Sequence, residues 1–406
     1  MYSKKRTEIP EEVSVSELLS LIPEDFISEL ADNMMVDKWV RKLKAGYLFK
    51  LVLYSLLNSE RLSLRIMEDN YTDPLFRALA PALEADEVTW TGIRERLTKV
   101  NSSFFRQLYK KVYEQAKALY GQNGLRKYNI RRYDSTMIAT FSHLLEGMKV
   151  GNTKKGKRQV KLTTEFTSDF QIRMEFHDDQ AHLSEETALK EVVQNAENNK
   201  AEDIHVFDKG LKSRKTFEEF EADDISFVTR INGNSRYDII RPMLYSDSSQ
   251  DTEELEFIED NAVRLYKSGH SKPIKTEFRL IKYFVKKKRV HLFFLTNLWD
   301  LEAHEIAHIY KQRWEIEVLF RFMKQEMNLT HFVCNDKNAI QVMLYCTMIT
   351  TMLVLIYKKQ NHIKSYKKAK IQFFKELNYL ILLEILEQPN ELIRLKKILK
   401  SFLKKE

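Results

Sequence analysis

Cysteine, glycine and proline are the scarce residues of this 406-residue chain, which holds 2, 10 and 7 of them. Cys334 and Cys346 stand without a CxxC pair or a cysteine–histidine zinc spacing. A disulfide framework and a zinc knuckle are therefore not indicated, and a reducing, cytoplasmic setting fits. Glycine and proline together fall far below the roughly 12% of ordinary globular chains. That excludes collagen-like, linker-rich and disordered classes and calls for long helices. Met1 to Pro10 lacks the apolar run of a signal peptide. Only Ala339 to Tyr357 is long and apolar enough to test as a membrane span. Its Gln341, Thr347, Thr350 and Thr351, with no second such stretch, favour a core helix, so no membrane partner is expected.

Charge is abundant and nearly balanced: 66 Lys+Arg against 58 Asp+Glu, a net of +8, beside 43% hydrophobic residues. The apolar content supports a core for two or three domains. From Lys358 to Glu406 there are 13 basic and 5 acidic residues, so the net charge resides in the C-terminal tail. Charge alone permits a nucleic-acid partner without singling one out.

Periodicity divides the chain. Residues 13–120 read as helices, with Leu48, Leu51, Val52 and Leu56 on one stripe and Phe104, Leu108, Val112 and Ala116 on another. Gly121–Gln122–Asn123–Gly124 breaks that pattern. Strand-like runs follow at Tyr128–Ala139, Lys161–Thr167, Ile172–His177, Ile204–Phe207 and Ser226–Ile231, with helices over Glu185–Ala196 and Ser213–Phe220 between the later ones. This order predicts an α/β mixed sheet. Further strands, including Ile274–Phe284 and Val290–Leu295, read as a β-rich insertion, and the chain is helical from Asp300 onward. The expected divisions are 1–122, 123–232, 233–297, 298–330 and 331–406.

Two carboxylates stand where strands place ligands. Asp134 lies within a strand-like run, an expensive position for a charge unless it is paired or metal-bound. Asp208 closes Ile204–Phe207 and precedes Lys209–Gly210, and the carboxyl ends of strands are where open α/β sheets bind. A turn or cap role is the ordinary alternative for either. On an ideal helix at about 100° per residue, Tyr310, Arg313, Glu317 and Lys324 share an arc of about 60°. A phenol, two cations and a carboxylate on one face suit a phosphate backbone with a metal-bound phosphodiester near its middle. The ordinary alternative is a solvated face with an Arg–Glu pair.

The spacing Y-x2-R-x3-E-x6-K from Tyr310 to Lys324, entered through Leu295–Thr296–Asn297 and containing Arg313–Trp314, resembles bacterial insertion-sequence transposases of the DDE class, the IS-four family. The Asp134 strand and the Asp208–Lys209–Gly210 turn resemble that family's first and second catalytic aspartates, and the motifs cover about residues 128–330. Ser63–Leu64–Arg65 is similar to regions preceding the domain in some members. Lys209–Gly210–Leu211 departs from the more usual Arg-Gly-Tyr turn. The resemblance implies an RNase H-like core interrupted by the β-rich insertion and flanked by helical regions, the N-terminal one for binding DNA ends. It implies that Asp134, Asp208 and Glu317 are catalytic and hold two divalent metal ions, Mg²⁺ or Mn²⁺. It implies cut-and-paste transposition on double-stranded element ends and target DNA, by a homodimer in the synapse, in the bacterial cytoplasm at the nucleoid. Tyr310, Arg313, Lys324 and Trp314 are the implied DNA contacts. The basic run Lys154, Lys155, Lys157 and Arg158, which joins two strands beside Asp134, is a further candidate.

Rival readings are weaker. His304–Glu305–Ile306–Ala307–His308 matches the zinc-protease H-E-x-x-H, but on one continuous helix its histidines face away from the Tyr310–Lys324 stripe, and Glu326 would have to serve as third ligand from the same helix or its end. A DNA-binding protein without catalysis is opposed by the presence of all three carboxylates. Asp178 and Asp179 read as a loop start, and Trp299 and Trp314 as core residues, with a base-holding role for an aromatic here implied by the family.

Overall fold

The computed structural model describes residues 12–120, 128–139, 148–149, 158–167, 170–177, 179–195, 202–244, 250–329, 332–387 and 393, apart from 82, 84, 268 and 335. The chain divides into two compact units: residues 1–122, 140–145 and 321–406 in one, and 123–139 and 146–320 in the other. The expected break at Gly121–Gly124, the Lys154–Lys157 run and nearly all of the tail beyond 387 lie outside the described residues.

The first unit is helical. Its central helix, Lys337–Gln360, packs against Ser102–Tyr120, Ala45–Asn58, Trp90–Lys99 and Tyr366–Glu387. From Ala339 to Tyr357 every residue but Gln341 and Tyr345 is buried. It is the one helix among the described residues with the length and apolarity of a membrane span, and 89% of its most apolar window is buried. Its polar groups find partners: the Ser102 hydroxyl donates to Gln341 Oε1 at 2.9 Å, and Thr350 Oγ1 to the Cys346 carbonyl at 2.8 Å. The expected core helix is what the chain forms. Both cysteines are buried and unpaired.

The second unit is built on one sheet of ten strands among the described residues. They are β1 (Asn129–Ala139), β2 (Met148–Lys149), β3 (Arg158–Thr167), β4 (Phe170–His177), β5 (Asp203–Val206), β6 (Ser226–Arg230), β7 (Tyr237–Pro242), β8 (Leu255–Leu265), β9 (Phe278–Val285) and β10 (Val290–Thr296). The order is β2-β3-β1-β5-β6-β10-β9-β8-β7, with β4 also beside β3. β1, β3 and β4 run antiparallel, while β5 and β6 run parallel to β1. Three antiparallel strands continued by two parallel ones form the expected RNase H-like core. The strands after residue 232 do not form a separate sheet, because β10 pairs directly with β6 and extends the same ladder.

Alternation along the strands builds a core on each face. Tyr133, Phe207 and Phe227 join Leu189, Val192, Phe217 and Phe220 of the crossover helices Glu185–Gln194 and Arg214–Ala222 on one side. Ile130, Val206, Val228 and Phe294 meet Ile306, Ala307 and Tyr310 of the helix Ala303–Lys311 on the other. Ser184 and Ser213 cap the crossover helices, accepting from the Glu186 and Thr216 backbone N–H groups.

Candidate active site

Where β5 stops at Val206, β1 continues to Ala139, so Asp134 has β3 beside it and no β5 partner. Its even-numbered position puts it on the same face as Ile130, the face covered by Ala303–Lys311. Asp208 follows two residues after β5. The strand ends therefore place two half-buried carboxylates next to the helices that carry Tyr310 and Glu317.

Those helices are not one rod. Ala303–Lys311 ends before Gln312–Arg313, and Trp314–Glu326 begins after it. Backbone bonds three residues long bridge the junction, from Arg313 N–H to Tyr310 O at 3.0 Å and from Ile316 N–H to Arg313 O at 3.1 Å. The tight turn corrects the ideal-helix stripe: Tyr310 and Arg313 are buried, at 8% and 5% exposure, instead of lining an open face.

Arg313 is the hub. Its Nη2 donates to Glu317 Oε1 at 2.6 Å, and its guanidinium lies 5.6 Å from the Tyr310 ring centre. Tyr310 in turn donates its hydroxyl to Asp208 Oδ1 at 3.0 Å, across 102 residues of chain. Burial pushes the Tyr310 phenol up to about 12, so it remains a donor. Burial alone would lower Arg313, but Tyr310, Glu317 and Asp208 outweigh it and hold the guanidinium charged.

The two aspartates are driven apart in acidity. Burial raises Asp134 to about 6 against the opposing pull of Arg313 and the Ser135 N–H, with the charges of Glu185 and Glu317 adding to the rise. Asp208 feels burial too, yet the Lys209 N–H, Arg313, the Tyr310 hydroxyl and Arg230 together hold it below the ordinary carboxylate value.

Asp134, Asp208, Tyr310, Arg313 and Glu317 are thus brought within hydrogen-bonding or electrostatic reach of one another. Lys324 lies two turns beyond Glu317 on the same helix, in the part assigned to the helical unit. Trp314 is 55% exposed and Trp299 half-buried beneath Arg241, so neither is the core residue expected. Arg158 is in β3, but its side chain, like Lys154, Lys155 and Lys157, lies outside the described residues. Asp179 caps a short turn, accepting from the Ala181 N–H at 2.9 Å. Ser63 caps Leu64–Thr72, and Arg65 lies over Trp90.

Three participants escaped the sequence reading. Arg132 reaches Glu315 at 3.0 Å. Arg230, at the end of β6, lies 6.0 Å from the Tyr310 ring centre. Glu185 packs against Gly210, where a Cβ would meet its Cγ at 3.0 Å, and its Oε1 lies 3.4 Å from Lys161 Nζ. Only the pairing of distant strands brings these residues together, and no local motif marks them.

The donors suit a hard divalent ion in kind: all are carboxylates, and a cation offsets both the burial and the neighbouring charges that raise Asp134. Among the described residues no three acidic, histidine or cysteine side chains already converge on one point. Glu317 is held by Arg313 and Asp208 by Tyr310 instead. In the rival motif, Glu305 accepts from the Glu302 N–H in a capping box and His304 Nδ1 lies 3.2 Å from Gln250 Oε1, so both have structural partners.

A family model described as the transposase DDE domain matches residues 126–353. The chain is 31% identical over 160 residues to y4zB of Sinorhizobium fredii, a protein assigned as a transposase, a match covering 39% of this chain and 44% of that one. It is 36% identical over 80 residues to a protein of Synechocystis assigned as the transposase for insertion sequence element IS4SA, covering 20% and 21%. The matches thus span less than half the length of these relatives. A structure of the piggyBac transposase synaptic complex with hairpin DNA superposes with a TM-score of 0.47 at 11% identity, over 97% of this chain and 87% of that one.

Proposed function

The chain belongs to the family of the transposase DDE domain, and we propose that it is a transposase that binds the ends of its insertion sequence and cuts and rejoins DNA there. The observation that carries this reading is the Asp208–Tyr310–Arg313–Glu317 chain of contacts with Asp134 beside it. Membership of the family implies divalent-metal use, and Asp134, Asp208 and Glu317 are the residues to hold the ions, with hard oxygen donors favouring Mg²⁺. Such ions, when bound, activate the attacking oxygen and stabilise the leaving one.

The chain's own residues prepare that chemistry. Asp208 is kept ionised by its donors and is ready to ligate. Glu317 would hold an ion once released by Arg313, whose guanidinium would then be free for a phosphate oxygen. Tyr310, its phenol protonated, donates to whichever oxygen replaces Asp208. Exposed Trp314 and, farther along the helix, Lys324 serve as DNA contacts, as do Lys154, Lys155, Lys157 and Arg158. The N-terminal helices bind end sequences, the β-rich strands from 233 to 297 serve as the insertion, and two subunits pair the ends in a synapse.

Glu317→Ala tests the reading. It abolishes Mg²⁺-dependent cleavage of a duplex carrying the element's end and leaves binding of that duplex nearly intact. Cleavage at the unaltered rate would remove Glu317 from the site. The same nicking assay on the unsubstituted chain separates the enzyme from a DNA-binding protein without catalysis.

A further inference from the structure

Beside Asp208 the second unit opens into a cavity of about 950 Å³ walled by three chain segments: 209–215, 230–236 and 266–271. Among the described residues, seven cationic side chains line it with one carboxylate, Glu186; Lys267 is paired with Glu218 at 2.8 Å and Lys215 lies 3.8 Å from Glu219, which leaves Lys209, Lys212, Arg214, Arg230 and Arg236. Glu186 is already engaged. Its oxygens accept from the backbone N–H groups of Lys212 and Ser213 at 2.7 and 3.1 Å and from the Thr216 hydroxyl at 3.1 Å. It fixes the cationic segment in place at the start of Arg214–Ala222.

The concentration of charge is local. Outside the C-terminal tail the chain is neutral, so seven cations on one cavity are a departure from its average. Arg230 links the cavity to the site: its guanidinium faces Tyr310 and helps hold Asp208 ionised, while its buried Nε has no hydrogen-bond partner among the described residues. Lys209, Lys212, Lys215 and Arg236 are exposed. Arg236 is steadied over the Tyr266 ring at 4.0 Å, and the Tyr266 hydroxyl is fixed on Asp238 at 2.8 Å. A single phosphate needs two or three such donors. The five without a carboxylate partner among the described residues, drawn from two of the walls, suit a run of phosphates entering from the carboxylate site.

We propose that this groove binds the phosphodiester backbone of the DNA that adjoins the reacting phosphate on the Asp208 side. The inference rests on the transposase reading above and names a DNA contact that the Tyr310–Lys324 signature does not include. The strand it holds comes either from the DNA flanking the element or from the target duplex, both presenting the same phosphates.

The test uses the full chain with Lys212→Ala and Arg236→Ala combined, both at exposed positions, and binding measured in EDTA over a salt series. Three duplexes are compared: the element's end cut at the cleavage position, the same end continued into its flank, and an unrelated duplex offered to chain already carrying ends. The slope of log affinity against log salt should fall by about two, with binding weakened about tenfold or more at low salt. A loss confined to the continued duplex identifies the flank, and one confined to the unrelated duplex identifies the target. Lys212→Arg with Arg236→Lys should retain the slope, which separates charge from shape. Unchanged slopes on all three duplexes overturn the groove while leaving the transposase reading intact. An unsubstituted chain that binds no DNA overturns both, whereas one that binds DNA but does not cleave it in Mg²⁺ overturns the enzymatic reading alone.

Discussion

Arg313 holds together carboxylates that repel one another, and removing it separates its two roles. Arg313→Ala leaves Glu317, Asp208 and Asp134 without their shared counter-charge, at a cost of about 2 kcal/mol in unfolding free energy. The same change frees Glu317 for a metal ion, so Mn²⁺ titrated calorimetrically into the variant should bind several-fold tighter even as DNA cleavage falls. Weaker Mn²⁺ binding would mean that Arg313 organises the ligands instead of competing for one. The buried His205 offers a pH test beneath the site. Its Nδ1 lies 2.9 Å from the Tyr133 hydroxyl, and burial, with Arg131 adding, pushes its pKa down to about 3. The unfolded chain therefore takes up the proton first as pH falls. The neutral imidazole's contribution is complete above about 6.5 and is lost on the way down to about 3, at most about 5 kcal/mol in total. Chemical denaturation across that range should show the loss, and His205→Gln, which keeps a partner for Tyr133, should flatten it.

Single elements were legible to very different degrees. The alternating runs of β1, β5, β6 and β10 and the amphipathic helix Glu185–Gln194 were read to within a few residues, because each buries a regular face. β7 escaped because Ile239 and Ile240 are exposed. β8 escaped because its register shifts between Phe257 and Glu259, which breaks the period of two. The turn at Gln312–Arg313 left no trace either, since neither residue is a helix breaker and only the buried positions of Tyr310 and Arg313 require it. In the site, the spacing of Tyr310, Arg313 and Glu317 was visible while Arg230 and Glu185 were not. Their nearness to Asp208 and Asp134 depends on β5 pairing with both β1 and β6. That pairing rests on Phe227, packed against Phe207, Phe217, Phe220 and Phe278. Phe227→Ala should cost about 3–5 kcal/mol in urea denaturation, and a cost below 1 kcal/mol would show that the aromatic cluster repacks.

On the scale of the whole molecule, the helical unit draws on both ends of the chain. The Val13 N–H donates to Asn361 Oδ1 at 3.0 Å and the Val15 N–H to Glu376 Oε1 at 2.8 Å, while Asn338 caps carbonyls at the end of Trp90–Lys99. Residues 12–120 expressed alone should therefore lack a core and show weak, non-cooperative thermal loss of helix by circular dichroism. Adding residues 332–387 as a second chain should restore a sharp transition. A cooperative transition from 12–120 alone would make those helices self-sufficient. The separation of 102 positions between Asp208 and its Tyr310 donor carries a consequence for synthesis. A ribosome that has released β5 and β6 holds a nascent chain with both aspartates but neither Tyr310 nor Arg313. Asp208 then has the Lys209 N–H and Arg230 beside it, and gains Tyr310 and Arg313 only when the helices after β10 emerge. The site is in this way completed by a segment that emerges more than a hundred positions after its second aspartate.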